Sequence, residues 1–150
     1  MALSRMAKTD VTESAGENLM SGSFHVQLRP VPEDIDENGH VNNIVYVRWL
    51  QEVATSHWYA VAPPADVARY FWVISRHEID YLRASHLGEV IEAETWGENP
   101  RGARFDRCTR LCGPDGQERV KARTTWVLMD RELARPARVP KAMMQLFERG

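Results

Sequence analysis

Residues 33–61 read EDIDENGHVNNIVYVRWLQEVATSHWYAV, and this stretch decides the fold. Its second part, Ile44 to Val61, spaces apolar residues at helical intervals: Tyr46, Trp49, Leu50, Val53, Ala54 and Trp58. They cover more than one stripe and leave only Arg48, Gln51, Glu52, Thr55 and Ser56 as a polar strip. A helix this apolar must be wrapped by other structure. Pro63-Pro64 stops it, because proline brings no N–H and clashes with the preceding turn. Upstream, Phe24, Val26 and Leu28 alternate with His25, Gln27 and Arg29, the period of a half-buried strand ending at Pro30. Downstream, four strands are predicted in succession: Phe71 to Leu82, Glu89 to Gly97, Ala103 to Leu111, and Arg119 to Asp130. Turn signals at Asn99-Pro100-Arg101-Gly102 and at Cys112-Gly113-Pro114-Asp115-Gly116 separate the last three. A short amphipathic helix, Pro140 to Glu148, closes the chain with proline in its first turn. A strand, a long buried helix and four more strands make an α+β domain, the helix lying across a largely antiparallel sheet.

That domain is expected to span 23–150. Residues 1–22 are small and polar without periodicity and read as a flexible arm. A chain of 150 residues can build a core without staples. With 43% hydrophobic and 27% charged residues, it is globular rather than disordered. Nineteen Lys and Arg against 21 Asp and Glu leave a formal charge of −2, which argues against nucleic acid as partner. No run approaches the roughly 18 apolar residues of a membrane span. The opening residues lack the apolar core of a secretory signal, so a cytoplasmic location is expected. Cys108 and Cys112, four residues apart on one strand face, read as reduced thiols.

The chemistry concentrates in the loop before the helix. Glu33-Asp34-Ile35-Asp36-Glu37-Asn38-Gly39-His40-Val41-Asn42-Asn43 holds four acids, three Asn, one Gly and one His. Asn42 or Asn43 can cap the helix. The capped end offers backbone N–H groups and the positive pole of the helix dipole, suited to polarising a carbonyl or holding an oxyanion. Gly39 permits a sharp turn or close approach to a ligand. Asp36 and His40 lie a few residues from that pole. A carboxylate beside an oxyanion site is what hydrolysis of an activated acyl group needs.

The string Asp36-x-Asn38-Gly39-His40-Val41-Asn42-Asn43-x-x-Tyr46-x-x-Trp49 resembles the signature of hotdog-fold thioesterases. It looks most like the Asp-x-Asn-x-His-Val-Asn-Asn-x-x-Tyr-x-x-Trp string of plant acyl-ACP thioesterases. It also matches the pattern of bacterial acyl-CoA thioesterases related to 4-hydroxybenzoyl-CoA thioesterase. The resemblance runs from about Phe24 to Phe147, taking in His77-Glu78-Ile79-Asp80-Tyr81-Leu82-Arg83 and Arg135-Pro136-x-x-Val139-Pro140. It implies a curved antiparallel sheet wrapped around one helix, active sites formed between two subunits, and no metal or organic cofactor. By position it implies Asp36 as nucleophile or general base, with Asn38 and His40 placing water or thioester. A backbone amide at the helix start would bind the thioester oxygen. Gly39, Val41, Asn42, Asn43 and Tyr46 are the expected substrate contacts. The implied substrate is an acyl-CoA or an acyl carrier protein thioester of fatty acid metabolism, and the implied assembly a homodimer or homotetramer.

The chain departs from these families in two places. Many aryl-CoA enzymes have Gly-Val-Val-Tyr where this chain has Gly39-His40-Val41-Asn42. A later Glu-Cys pair of the plant enzymes falls at Ala84-Ser85, so that part of their mechanism does not carry over. A hotdog protein that binds acyl thioesters without turnover is the alternative from another class, and a hydratase or dehydratase is the alternative enzyme.

Other polar residues have plainer explanations. Asp34 is the rival carboxylate, but spacing to the Gly-His pair favours Asp36. Glu52 sits four residues after Arg48, the spacing of a helical ion pair. His25, His57, His77 and His86 form no metal-ligand constellation with His40, so no metal is expected. Arg101, Arg104, Arg107 and Arg110 could meet CoA phosphates, although surface solvation explains them more simply.

Overall fold

The structure, a computed structural model, describes residues 10–13 and 23–149. In chain order the elements are β1 (Asp10–Glu13), β2 (Phe24–Arg29), a 3₁₀ turn (Pro32–Asp34), α1 (Asn43–Val61), α2 (Pro64–Arg69), β3 (Tyr70–Tyr81), β4 (Ile91–Arg101), β5 (Arg104–Cys112), β6 (Glu118–Asp130), β7 (Arg135–Pro136) and α3 (Lys141–Phe147). Six strands run in the order β1-β2-β4-β5-β6-β3, every pair antiparallel, with β7 attached to β6. After β2 the chain crosses through α1 to the far edge of the sheet, and β4, β5 and β6 then fill the space between as a meander.

Alternation seats β2: Phe24, Val26 and Leu28 are buried and His25, Gln27 and Arg29 are only partly covered. On α1, Val45, Tyr46, Trp49, Leu50 and Val53 pack with Ile91, Ala93, Leu111, Val120 and Ala122 of the sheet. A second cluster lies at the other end of the helix, where Trp58, Phe105, Leu128, Val139, Met143 and Phe147 pack under α3. Gly97 admits this packing, since a Cβ there would stand 2.5 Å from the Phe105 ring.

Several local expectations are refined. A short helix, α2, follows the prolines, with Pro64 as its first residue. The signal at Asn99-Pro100 is a bulge in β4, where proline's missing N–H interrupts the ladder, and the hairpin turns at Gly102. Of the stretch 1–22, residues 10–13 pair with β2, and the remainder lies outside the described residues. Arg107 does not stand in solvent with its neighbours. It turns inward on β5, and Nη1 donates to His57 Nδ1 at 2.9 Å and to Thr95 Oγ1 at 3.1 Å. Burial brings its pKa down to about 10. Both cysteines are free. Among the described residues no helix is long and apolar enough to cross a membrane.

Candidate active site

Hydrogen bonds close the loop between β2 and α1 into a rigid entry to the helix. Ile35 and Val41 bridge antiparallel, so residues 36–40 form a tight excursion. Within it, Asp36 N–H donates to the His40 carbonyl at 2.9 Å and Gly39 N–H donates to the Asp36 carbonyl at 3.0 Å. Gly39 has φ +78°, a left-handed conformation that side chains disfavour. Asp36 Oδ1 accepts the Asn38 N–H at 2.9 Å, which fixes the carboxylate at the turn. Asn42 caps α1: its Oδ1 accepts the Ile44 N–H at 3.0 Å and its carbonyl the Val45 N–H at 2.9 Å. The Asn43 N–H, at the first helical residue, has no partner within the helix.

Asp34 and Asp36, two residues apart, are placed differently. Asp34 is 1% exposed. Its carboxylate accepts the Val31 N–H at 3.0 Å and Arg48 Nη2 at 2.6 Å, and its carbonyl accepts the Asn42 N–H at 2.9 Å. It fastens the loop to the helix. Asp36 is half-buried and lines a cleft of about 390 Å³.

That cleft gathers Asp36, Asn38, His40, Val41, Asn42, Asn43 and Tyr46 from the loop and helix start. Gly39 is not among its walls and serves the turn instead. The opposite wall is Tyr81, Leu82, Arg83 and Ala84, from the end of β3. Sequence reasoning did not pick out this wall, although the His77–Arg83 strand belongs to the resemblance. Tyr81 Oη donates to the Asn43 carbonyl at 3.4 Å, and its ring meets Tyr46 at 5.7 Å between centroids. Val41 N–H donates to the Ser85 carbonyl at 2.9 Å, joining the walls from below. Burial raises the pKa of the Tyr46 hydroxyl, which lies against Ser85. Ala84 brings no carboxylate to the cleft.

The Glu52 ion pair is present, with Arg48 Nε 3.3 Å from Oε1. Arg48 thus bridges Glu52 and Asp34. Burial pushes the Glu52 pKa up to about 7 even with Arg48 opposing it, and Glu52 does not line the cleft.

A family model described as the thioesterase-like superfamily matches residues 30–147. The chain is 28% identical over 125 residues to a chloroplastic acyl-[acyl-carrier-protein] hydrolase of Cuphea viscosissima, covering 81% of this chain and 25% of that protein. It therefore spans about a quarter of the length of this curated relative. An acyl-ACP thioesterase structure from Bacteroides thetaiotaomicron superimposes with a TM-score of 0.70 at 25% identity, over 77% of this chain and 49% of the other. A 4-hydroxybenzoyl CoA thioesterase complexed with 4-hydroxybenzoyl CoA gives a TM-score of 0.75 at 21% identity, over 85% and 100% of the two chains. The curved sheet around a long helix is the hotdog fold expected from the sequence.

Proposed function

The chain belongs to the thioesterase-like superfamily, and we propose that its cleft hydrolyses an acyl thioester of CoA or of acyl carrier protein. One observation carries the reading: a single cleft brings the Asp36 carboxylate, Asn38 and His40 to the N-terminal end of α1. In this reading the thioester carbonyl lies at the helix start, where the Asn43 N–H and the dipole stabilise the negative charge that develops on oxygen. Asp36 either activates a water molecule or attacks the carbonyl itself. The C–S bond breaks, the thiol leaves with a proton, and the acid is released, in the second case after water has opened the acyl-Asp36 anhydride. Asn38 and His40 position water or thioester. Gly39 sets the turn, while Val41, Asn42, Asn43 and Tyr46 shape the acyl entrance.

We further propose that the working form is a homodimer, or a dimer of dimers. β3 lies at the sheet edge, and Val73, Tyr81 and Leu82 on or beside it are 40%, 45% and 47% exposed. Among the described residues no strand pairs with the outer side of this twelve-residue edge, and its apolar side chains make it a template for a second strand. Tyr81 and Leu82 also wall the cleft, so pairing there would bring a second copy to its rim. The two free thiols suit a reducing, cytoplasmic setting.

The test is free-thiol release from acetyl-, medium-chain, long-chain and aryl-CoA, and from acyl carrier protein, by native protein and Asp36→Asn. Loss of a positioned acid–base group is expected to lower release by about 10²–10⁴-fold with the oligomer intact. Release that survives the substitution would displace Asp36 from its role. No release from any thioester would favour a binding protein, and turnover of enoyl or hydroxyacyl thioesters alone would favour a hydratase.

A further inference from the structure

His40 is exposed at the cleft mouth. Its backbone carbonyl is taken by the Asp36 N–H, but no hydrogen bond or ion pair with a described residue holds its side chain. What touches the ring is His86, edge to face, with centroids 5.0 Å apart and planes at 87°. His86 belongs to the segment joining β3 to β4, more than forty residues along the chain.

That segment is anchored from below. Arg119 of β6, only 6% exposed, grips both oxygens of Glu89 at 2.9 and 3.0 Å and donates to the Ala84 carbonyl at 2.7 Å. Glu89 Oε1 in turn accepts the His86 backbone N–H at 2.6 Å and stands 3.2 Å from His86 Nδ1. The Arg119 guanidinium holds the Glu89 pKa down to about 2, so Glu89 is a carboxylate throughout the working range. A carboxylate at Nδ1 fixes the proton on that nitrogen and orients the ring. The neighbouring residue of the same segment, Ser85, gives its carbonyl to the Val41 N–H at 2.9 Å. Two consecutive residues, 85 and 86, thus brace two consecutive residues of the catalytic loop, one through backbone and one through a ring.

We propose that Glu89 and His86 are positioning residues for His40, with Glu89 orienting the His86 ring and His86 holding the His40 ring at the cleft mouth. The inference rests on reading His40 as a working residue of the thioester cleft. Arg119 is the buried anchor of the relay, and neither Glu89 nor His86 is among the residues lining the cleft.

The experiment is a double-mutant cycle on thiol release, using His86→Ala, His86→Phe, His40→Ala and the combination of His86→Ala with His40→Ala. His86→Ala is expected to lower kcat by about tenfold with KM within about twofold, and to have no further effect once His40 is gone. His86→Phe keeps a ring without its tether and should fall between. His86 is exposed, so thermal melts should match the native protein. Equal losses from His86→Ala in both backgrounds, or no loss in either, would overturn the proposal. A His86→Phe variant as active as the native protein would remove Glu89 from it. Proton NMR of the ligand-free protein separates this proposal from the functional reading. A cross-peak between the His40 and His86 rings, with His40 ring resonances that move in His86→Ala, supports the contact even where no thiol is released. Unmoved His40 resonances overturn it whatever the activity.

Discussion

At the N-terminal end of α1, His40 stands exposed beside Asp36 at an open cleft, whereas near the C-terminal end His57 is 1% exposed and stacked on Phe24 at 4.7 Å. Residue type does not distinguish the two histidines, but their surroundings do. His57 has Phe147 against its other side at 4.9 Å and accepts the Arg107 guanidinium at Nδ1. Its hydrogen-bonding capacity goes to the core, and burial with Arg107 beside it drives its pKa down to about 2. At the other end the backbone bonds are spent on shaping a loop, and the side chains of Asp36, Asn38 and His40 reach solvent. One end of the helix is closed by packing and the other is left open at the cleft.

The sharpest way to break that division is to exchange the expected readouts. Phe147→Ala empties the aromatic cluster of Trp58, Phe105 and His57 and should cost about 3–5 kcal/mol of stability. Below its melting point, that variant should release thiol at a near-native rate per folded molecule. Asp36→Asn should do the reverse, with thermal melts unchanged and release collapsed. A Phe147→Ala variant that stays folded but loses thiol release would mean that the two ends are coupled.

A second contrast separates the two loop carboxylates. Asp34→Asn removes the buried charge that ties Arg48 and the Val31 N–H to the helix start. Breaking such a buried pair costs about 3 kcal/mol, read as a lower urea midpoint, and the loosened loop should also raise KM. If Asp34→Asn melts like the native protein, the loop is held elsewhere.

These contrasts mark how far the sequence could be read. The alternation Phe24, Val26, Leu28 and the helical spacing of Tyr46, Trp49 and Val53 are local signals, and both elements form where those signals stand. The Asp36–Asn43 string announced one wall of the cleft because its residues are neighbours in the chain. The other wall, Tyr81 to Ala84, reaches it through a long-range pairing of strands that no local period encodes. Arg107 departs from the expected surface position for a related reason. The alternation of β5 points it inward, but an inward guanidinium has a place only when His57 and Thr95 arrive from α1 and β4. Asp34 and Asp36 differ by which one Arg48 reaches across from the helix.

The pH dependence of stability offers smaller effects that act in opposite directions. His57 is held neutral in the folded protein down to about pH 2, while its unfolded form gains a proton near 6.5. The unfolded state therefore binds more protons below pH 6.5, and stability falls as pH falls. Between pH 7 and pH 4 this group should withdraw roughly 3 kcal/mol. His57→Gln keeps an acceptor for Arg107 without a titrating ring. It should flatten the acid limb of melting temperature against pH, and an unchanged limb would place the acid sensitivity on another group.

Glu52 works the other way. Its folded carboxyl titrates at about 7, well above the usual 4.5, because burial disfavours the charged form more than Arg48 favours it. Between those values the folded state holds the extra proton, so stability is greatest below pH 4.5 and declines as pH rises towards 7. With the Arg48 attraction already included in that value, the effect amounts to at most about 3 kcal/mol, comparable with that of His57 and opposite in sign. Glu52→Gln stays neutral throughout, so its melting temperature relative to native protein should rise from pH 5 to pH 8. Thiol release should be unaffected, since Glu52 stands outside the cleft and Arg48 keeps Asp34. Should the same substitution abolish release instead, the helix carboxylate and not the loop would be the group that meets the thioester, and the open end of α1 would extend two turns further than its cleft walls indicate.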